Sequence, residues 1–157
     1  MKKLFFLLLA LSVIGCGYEE SPSSDTGASE TSSNPFALAN AVFWADGGDS
    51  SGTWDAATGT ATVLKAGEPY QVNSSFRPVS VTAGIVKTVT FSCTGGNTVT
   101  VTLKEDGGTY TTYATSEVAC DGDKSVVLTP SVTDAAAQLA FNFGKAVGTY
   151  VLSDISV

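Results

Sequence analysis

The stretch TVTFSCTGGNTVTVTL, residues 88–103, decides the class of fold. Val89, Phe91 and Cys93 fall on one side of an extended chain, and so do Val99, Val101 and Leu103, with Thr98, Thr100 and Thr102 on the other. Apolar on one side and hydroxyl on the other is the signature of an antiparallel sheet with one packed and one wet face. The last twenty residues repeat the pattern: Leu139, Phe141 and Phe143 alternate with Gln138, Ala140 and Asn142. No window shows sustained helical periodicity, and the DGG stretches at Asp46 and Asp106 and TGGN at Thr94 read as closely spaced turns. Residues 35–157 are therefore expected to form one all-β domain, an antiparallel β-sandwich.

The chain opens differently. Lys2 and Lys3 precede an apolar run from Leu4 to Ile14, too short to span a bilayer, so residues 1–15 read as a signal peptide. Val13-Ile14-Gly15-Cys16 resembles the bacterial lipobox. That resemblance implies a lipid on Cys16 and, with Gly17 next, an exported protein anchored in the outer membrane. Residues 16–34 carry Ser, Thr and acids with no basic residue, a composition that cannot bury enough surface to offset chain entropy. They are expected to be a disordered tether whose ~18 residues after the cysteine reach roughly 25 Å.

The whole chain has 8 Lys+Arg and 15 Asp+Glu. Lys2 and Lys3 belong to the leader, and Glu19, Glu20, Asp25 and Glu30 to the tether, which leaves 6 minus 11, or -5, on residues 35–157. A mildly acidic surface without a basic run argues against nucleic acid or anionic lipid as a partner. Once Cys16 is assigned to the anchor, Cys93 and Cys120 remain as an even pair in an oxidising setting. Cys93 shares parity with Phe91 and Cys120 with Val118, so both point to apolar faces. A bridge between them would close a loop of about thirty residues and stabilise by about 3 kcal/mol; the alternative is two buried free thiols.

From about Ala66 to Val157, AGEPYQV, VSVTAGIVKTVTFSC, GGTYTTYATSEV and TDAAAQLAFNFG followed by TYVLSDISV resemble, in order, the segments of the CenC-like carbohydrate-binding modules, family 4/9 type. The resemblance implies a jelly roll whose concave sheet face holds a polysaccharide chain, β-glucan or xylan-like, between aromatic rings and amides. It also implies glycoside hydrolases as functional neighbours. The family's acidic opening stretch is absent from NPFALANAVFWADGG.

Parity and resemblance together choose the candidate contacts. With Leu139, Phe141 and Phe143 inward, Gln138 and Asn142 face outward, and Ala140 between them leaves room for a ligand. With Val118 and Cys120 inward, Tyr113 faces outward, and Tyr110 sits at the start of its strand or in the turn before it. With Val72 and Phe76 inward, Gln71 and Asn73 face outward. Tyr70 has the opposite parity and is placed in the groove because the family has an aromatic there. Trp44 and Trp54 read as core or rim residues and Arg77 as a surface residue.

Leu152 and Ile155 are three apart, which predicts a bulge at Ser153-Asp154. The family places a structural calcium near such an aspartate, so Asp154 is the one candidate metal ligand, although no cofactor is required. The absence of any histidine removes His-based triads and metal sites, and no opposed carboxylate pair stands out for glycoside hydrolysis. A non-catalytic polysaccharide-binding lipoprotein is expected. The alternative is a structural or adhesion envelope lipoprotein that binds a protein partner.

Overall fold

A computed structural model describes residues 34–45 and 51–157. The leader, Cys16, nearly all of the tether and the DGG at Asp46 lie outside the described residues. Among those described, eight strands follow in chain order: β1 Val42–Trp44, β2 Ser51–Asp55, β3 Thr60–Lys65, β4 Asn73–Val81, β5 Lys87–Lys104, β6 Thr112–Leu128, β7 Asp134–Asn142 and β8 Gly148–Ser156. Two short 3-10 turns, Leu38–Asn40 and Pro69–Gln71, are the only helical elements among these residues.

All pairings are antiparallel, along the path β1-β4-β7-β5-β8-β3-β2, with β6 on β5. One hydrogen-bonded path makes two layers because β5 changes partners midway. Its Thr90–Thr94 part pairs with β8, and its Thr100–Lys104 part pairs with β7. The front layer is then β1-β4-β7 and the back layer β2-β3-β8, with the long hairpin of β5 and β6 folded across both. This is the antiparallel β-sandwich expected from the alternation, in the jelly-roll form that the resemblance implied.

The hinge of that hairpin revises two local readings. TGGN at 94–97, and DGDK at 121–124, whose Asp-Gly-Asp also reads as a turn in sequence, are not chain reversals; both lie within continuous strands, opposite one another. Thr94 pairs with Asp121 and Thr98 with Ala119, so β5 carries two extra residues at the bend. Two extra residues preserve parity, and Val89, Phe91, Cys93, Val99, Val101 and Leu103 all remain on the core side. Gly95 sits at φ 145°, where a Cβ would come within 2.4 Å of the Thr149 carbonyl oxygen, so a side chain there would block the fold of one layer over the other. Cys93 and Cys120 form the expected disulfide beside this bend. It closes a loop 27 residues apart in sequence, which by chain entropy stabilises by about 3 kcal/mol.

The core fills the space between layers. Phe141 on β7 meets the edge of Phe91 on β5 at 5.0 Å between centroids and Phe76 on β4 at 6.0 Å. Phe143 packs on Tyr150 at 5.1 Å, and the buried Tyr150 hydroxyl donates to the Ala146 carbonyl at 3.0 Å. Trp54 and Phe43 stack at 6.0 Å and close the open end of the sandwich between β2 and β1. On β8 the predicted bulge is present: Ser156 pairs with Thr90 and Ser153 with Ser92, three residues against two. Asp154 takes a left-handed φ of 53° within it.

Candidate carbohydrate-binding groove

The outer face of the front layer is built from three aligned rungs. Trp44, Asn73, Asn142 and Thr100 are successive register partners across β1, β4, β7 and β5. Val42, Ser75, Ala140 and Thr102 make the second rung, and Gln138 pairs with Lys104 in the third. Small side chains in the middle rung leave a trough along its centre. Around it the surface encloses about 750 Å³, with Tyr70, Tyr110, Arg77 and Thr112 completing the walls.

The floor is polar yet shielded: Gln138 is 2% exposed, Asn142 5% and Asn73 6%. Such amides need partners, and most have them. Asn142 Nδ2 donates to the Thr100 carbonyl at 3.0 Å and to Thr102 Oγ1 at 2.9 Å. Gln138 Nε2 donates to the Glu105 carbonyl at 2.8 Å, and Asn73 Nδ2 to the Tyr70 carbonyl at 2.7 Å. The remaining Asn142 oxygen, Oδ1, is buried without a hydrogen-bond partner among the described residues. A hydroxyl donor in the trough would satisfy it.

The rim is aromatic. Trp44, Tyr70 and Tyr110 are 45%, 56% and 57% exposed, all three lining the trough. Tyr70 reaches it because the chain makes a 3-10 turn at Pro69–Gln71 before β4 starts at Asn73, so strand parity does not apply there. The turn is fixed against β7: the Gly144 N–H donates to the Pro69 carbonyl at 3.0 Å, and the Gly67 N–H to the Gly144 carbonyl at 2.8 Å. A Cβ on Gly144 would lie 2.4 Å from the Glu68 carbonyl oxygen, so this close approach requires glycine. The same turn takes Gln71 out of the groove lining. Its Oε1 accepts the Glu68 N–H at 2.8 Å and closes a capping box, which corrects the expectation of a sugar contact there.

Tyr113 is the second correction. Leu103 pairs with Ala114 but Lys104 pairs with Thr112, which leaves Tyr113 as the extra residue of a bulge. Thr112 takes the groove-facing position, while Tyr113 packs against the core and donates its hydroxyl to Asp134 Oδ2 at 2.9 Å. Desolvation, and then the Asp134 contact, raise its phenol pKa above the ordinary tyrosine value.

Tyr110 lies in the β5–β6 turn with a left-handed φ of 54°, a strained conformation for a bulky residue. Its ring stands 5.5 Å from Lys104 Nζ. The turn is organised by Glu105, whose Oε2 accepts from Thr109 Oγ1 at 3.1 Å and from the Thr111 N–H at 3.4 Å. The Thr111 N–H and the Thr109 hydroxyl hold that carboxyl below the usual carboxylate range. Tyr70, Asn73, Tyr110, Gln138 and Asn142 are thus brought together, and Gln71 and Tyr113 are not. Sequence reasoning passed over Trp44, Arg77 and Lys104 as groove residues; the alternation of Lys104 with Leu103 was the available clue.

The fold is shared with known structures. A structure described as "CBM4 structure and function" is 23% identical, covers 74% of this chain and 92% of its own, and superposes with a TM-score of 0.56. The chain shares the CBM4 fold. Two further likenesses come from Cellulomonas fimi β-1,4-glucanase C. Its N-terminal cellulose-binding domain is 22% identical, covering 74% of this chain and 86% of its own, with a TM-score of 0.50. Its second N-terminal cellulose-binding domain is 21% identical, covering 78% of this chain and 86% of its own, with a TM-score of 0.53. No family model matches the chain, and no curated protein matches it significantly.

Away from the groove, Asp154 accepts from Ser153 Oγ at 2.8 Å in a shallow depression with Asp123 and Lys124. Among the described residues no group of three or more His, Cys, Asp or Glu side chains is placed to hold a metal ion. Glu117 is ion-paired with Lys145 at 2.7 Å and does not line the groove.

Proposed function

We propose that this protein binds a polysaccharide chain, without cleaving it, in the groove on the front layer. The observation that carries the reading is the groove itself: a shielded floor of amides and hydroxyls, one of whose acceptors lacks a partner, beneath a rim of three half-exposed aromatic rings. Rings cover the C–H faces of sugars and supply apolar contact area, while the amides replace hydrogen bonds that sugar hydroxyls make to water. The cellulose-binding domains with the same fold support a β-glucan ligand, and the resemblance in sequence adds a xylan-like chain. An open groove of this kind should bind with a Kd on the order of 10 to 100 μM, about -6 kcal/mol. Affinity electrophoresis of the purified protein through gels containing soluble β-glucan, xylan or mannan tests the reading. Retardation in at least one gel is expected, and none in any gel would favour an envelope protein that binds a protein partner.

The same proposal includes the anchor, supported by the lipobox-like Val13-Ile14-Gly15-Cys16 and the Ser, Thr and acid-rich stretch after it. Export and lipidation of Cys16 would hold the groove clear of the outer membrane, near any glycoside hydrolase working on the same polymer. Cys16→Ser should move the protein from the membrane fraction to the soluble one with an unchanged melting temperature. Wild-type protein that takes up no radiolabelled palmitate would refute the anchor.

A further inference from the structure

The groove lining contains two cations, Arg77 and Lys104, and among the described residues no carboxylate, although residues 35–157 carry a net -5. The two cations differ. Arg77 is ion-paired with Asp106 and directs Nη2 toward Ser75 Oγ at 3.5 Å. Lys104 Nζ lies 5.5 Å from the Tyr110 ring, and no ion pair holds it among the described residues. The two carboxylates nearest in sequence are engaged elsewhere: Glu105 ties the 109–111 turn together and Asp106 holds Arg77, while Asp134 accepts from the Tyr113 hydroxyl. Burial first, and then the charge of Arg77, lower the Lys104 pKa, and both effects disfavour the charged ammonium.

We propose that the groove prefers an acidic polysaccharide and seats a sugar carboxylate or sulfate ester against the Lys104 ammonium. The inference rests on the groove being the glycan site and adds the class of glycan. A half-buried, unpaired cation is poorly compensated in the free protein, and an anionic sugar would supply the missing partner while the neighbouring rings and amides hold the backbone of the chain. The Tyr110 ring stands over Lys104 and bounds one side of the subsite. The negative charge of the domain works against indiscriminate binding of polyanions, so any preference for an acidic glycan has to arise within the groove.

Isothermal titration with oligosaccharides of β-1,4-glucan, β-1,3-glucan and β-1,4-mannan, each in neutral, C6-carboxylate and C6-sulfate form, tests this. On at least one backbone the charged form should bind about tenfold more tightly than the neutral form, and less so as salt is raised. Preference for carboxylate assigns a uronate, and preference for sulfate a sulfated glycan. Lys104→Gln should bring the ratio close to one and Lys104→Arg should keep it, with melting curves confirming that both variants fold. Equal binding of neutral and charged forms overturns the inference and leaves polysaccharide binding standing. A preference that survives in K104Q overturns the assignment to Lys104. No binding of any form on any backbone removes the polysaccharide reading itself.

Discussion

The double substitution Trp44→Ala and Tyr70→Ala should abolish measurable polysaccharide binding while leaving the protein folded. Each ring is roughly half exposed on the groove rim, so truncation removes contact area for a sugar and little from the core. Loss of a central aromatic contact commonly costs about 2 kcal/mol, or roughly thirtyfold in affinity. From a starting Kd on the order of 10 to 100 μM, even one such loss approaches the millimolar range, and two exceed what gel retardation detects. The Tm should shift by no more than a few degrees. Tyr113→Phe is the informative control: it removes the hydrogen bond to Asp134 at the sheet margin, costs about 1 kcal/mol of stability, and should leave retardation intact. Full binding by the Trp44/Tyr70 double variant would move the ligand away from this face.

Phe141→Ala should be the most destabilising single truncation in the domain, by about 4 kcal/mol. The ring is fully buried at the centre of the sandwich, meets Phe91 across the layers and Phe76 within its own, and stands on the strand between β4 and β5. Its removal leaves a cavity that backbone paired on both sides cannot collapse, and two edge-to-face contacts go with it. Against a typical total of 5–15 kcal/mol, that is a large fraction of the stability, and the Tm should fall by roughly 10 to 20 °C. Phe141→Leu should lose distinctly less. The two faces of β7 would then separate in experiment: Phe141→Ala lowers stability, whereas a groove substitution lowers binding. An unchanged Tm in the Phe141→Ala variant would contradict the packing described here.

Sequence alone determined the class of fold, because side-chain period along a strand is local. Leu139, Phe141 and Phe143 could bury together only if Gln138, Ala140 and Asn142 faced the other way, and the Val and Thr alternation along β5 gave the same division. The disulfide was legible for a related reason, since both cysteines shared parity with core neighbours. Parity failed wherever the chain departed from regular strand. A bulge beside Ala114 turned Tyr113 inward and gave its place to Thr112. A 3-10 turn before Asn73 put Tyr70 on the groove and removed Gln71. Two glycine-containing stretches that read as reversals proved to be facing bends in β5 and β6. Each of these shifts depends on which strand lies alongside, and hydrogen-bond register between segments far apart in sequence is not encoded in either segment alone. The groove belongs to that tertiary level: Trp44, Asn142 and Thr100 share a rung only because β1, β4, β7 and β5 assemble in that order. Lys104 stands there without an ion pair among the described residues, and the fold commits Glu105, Asp106 and Asp134 to other partners.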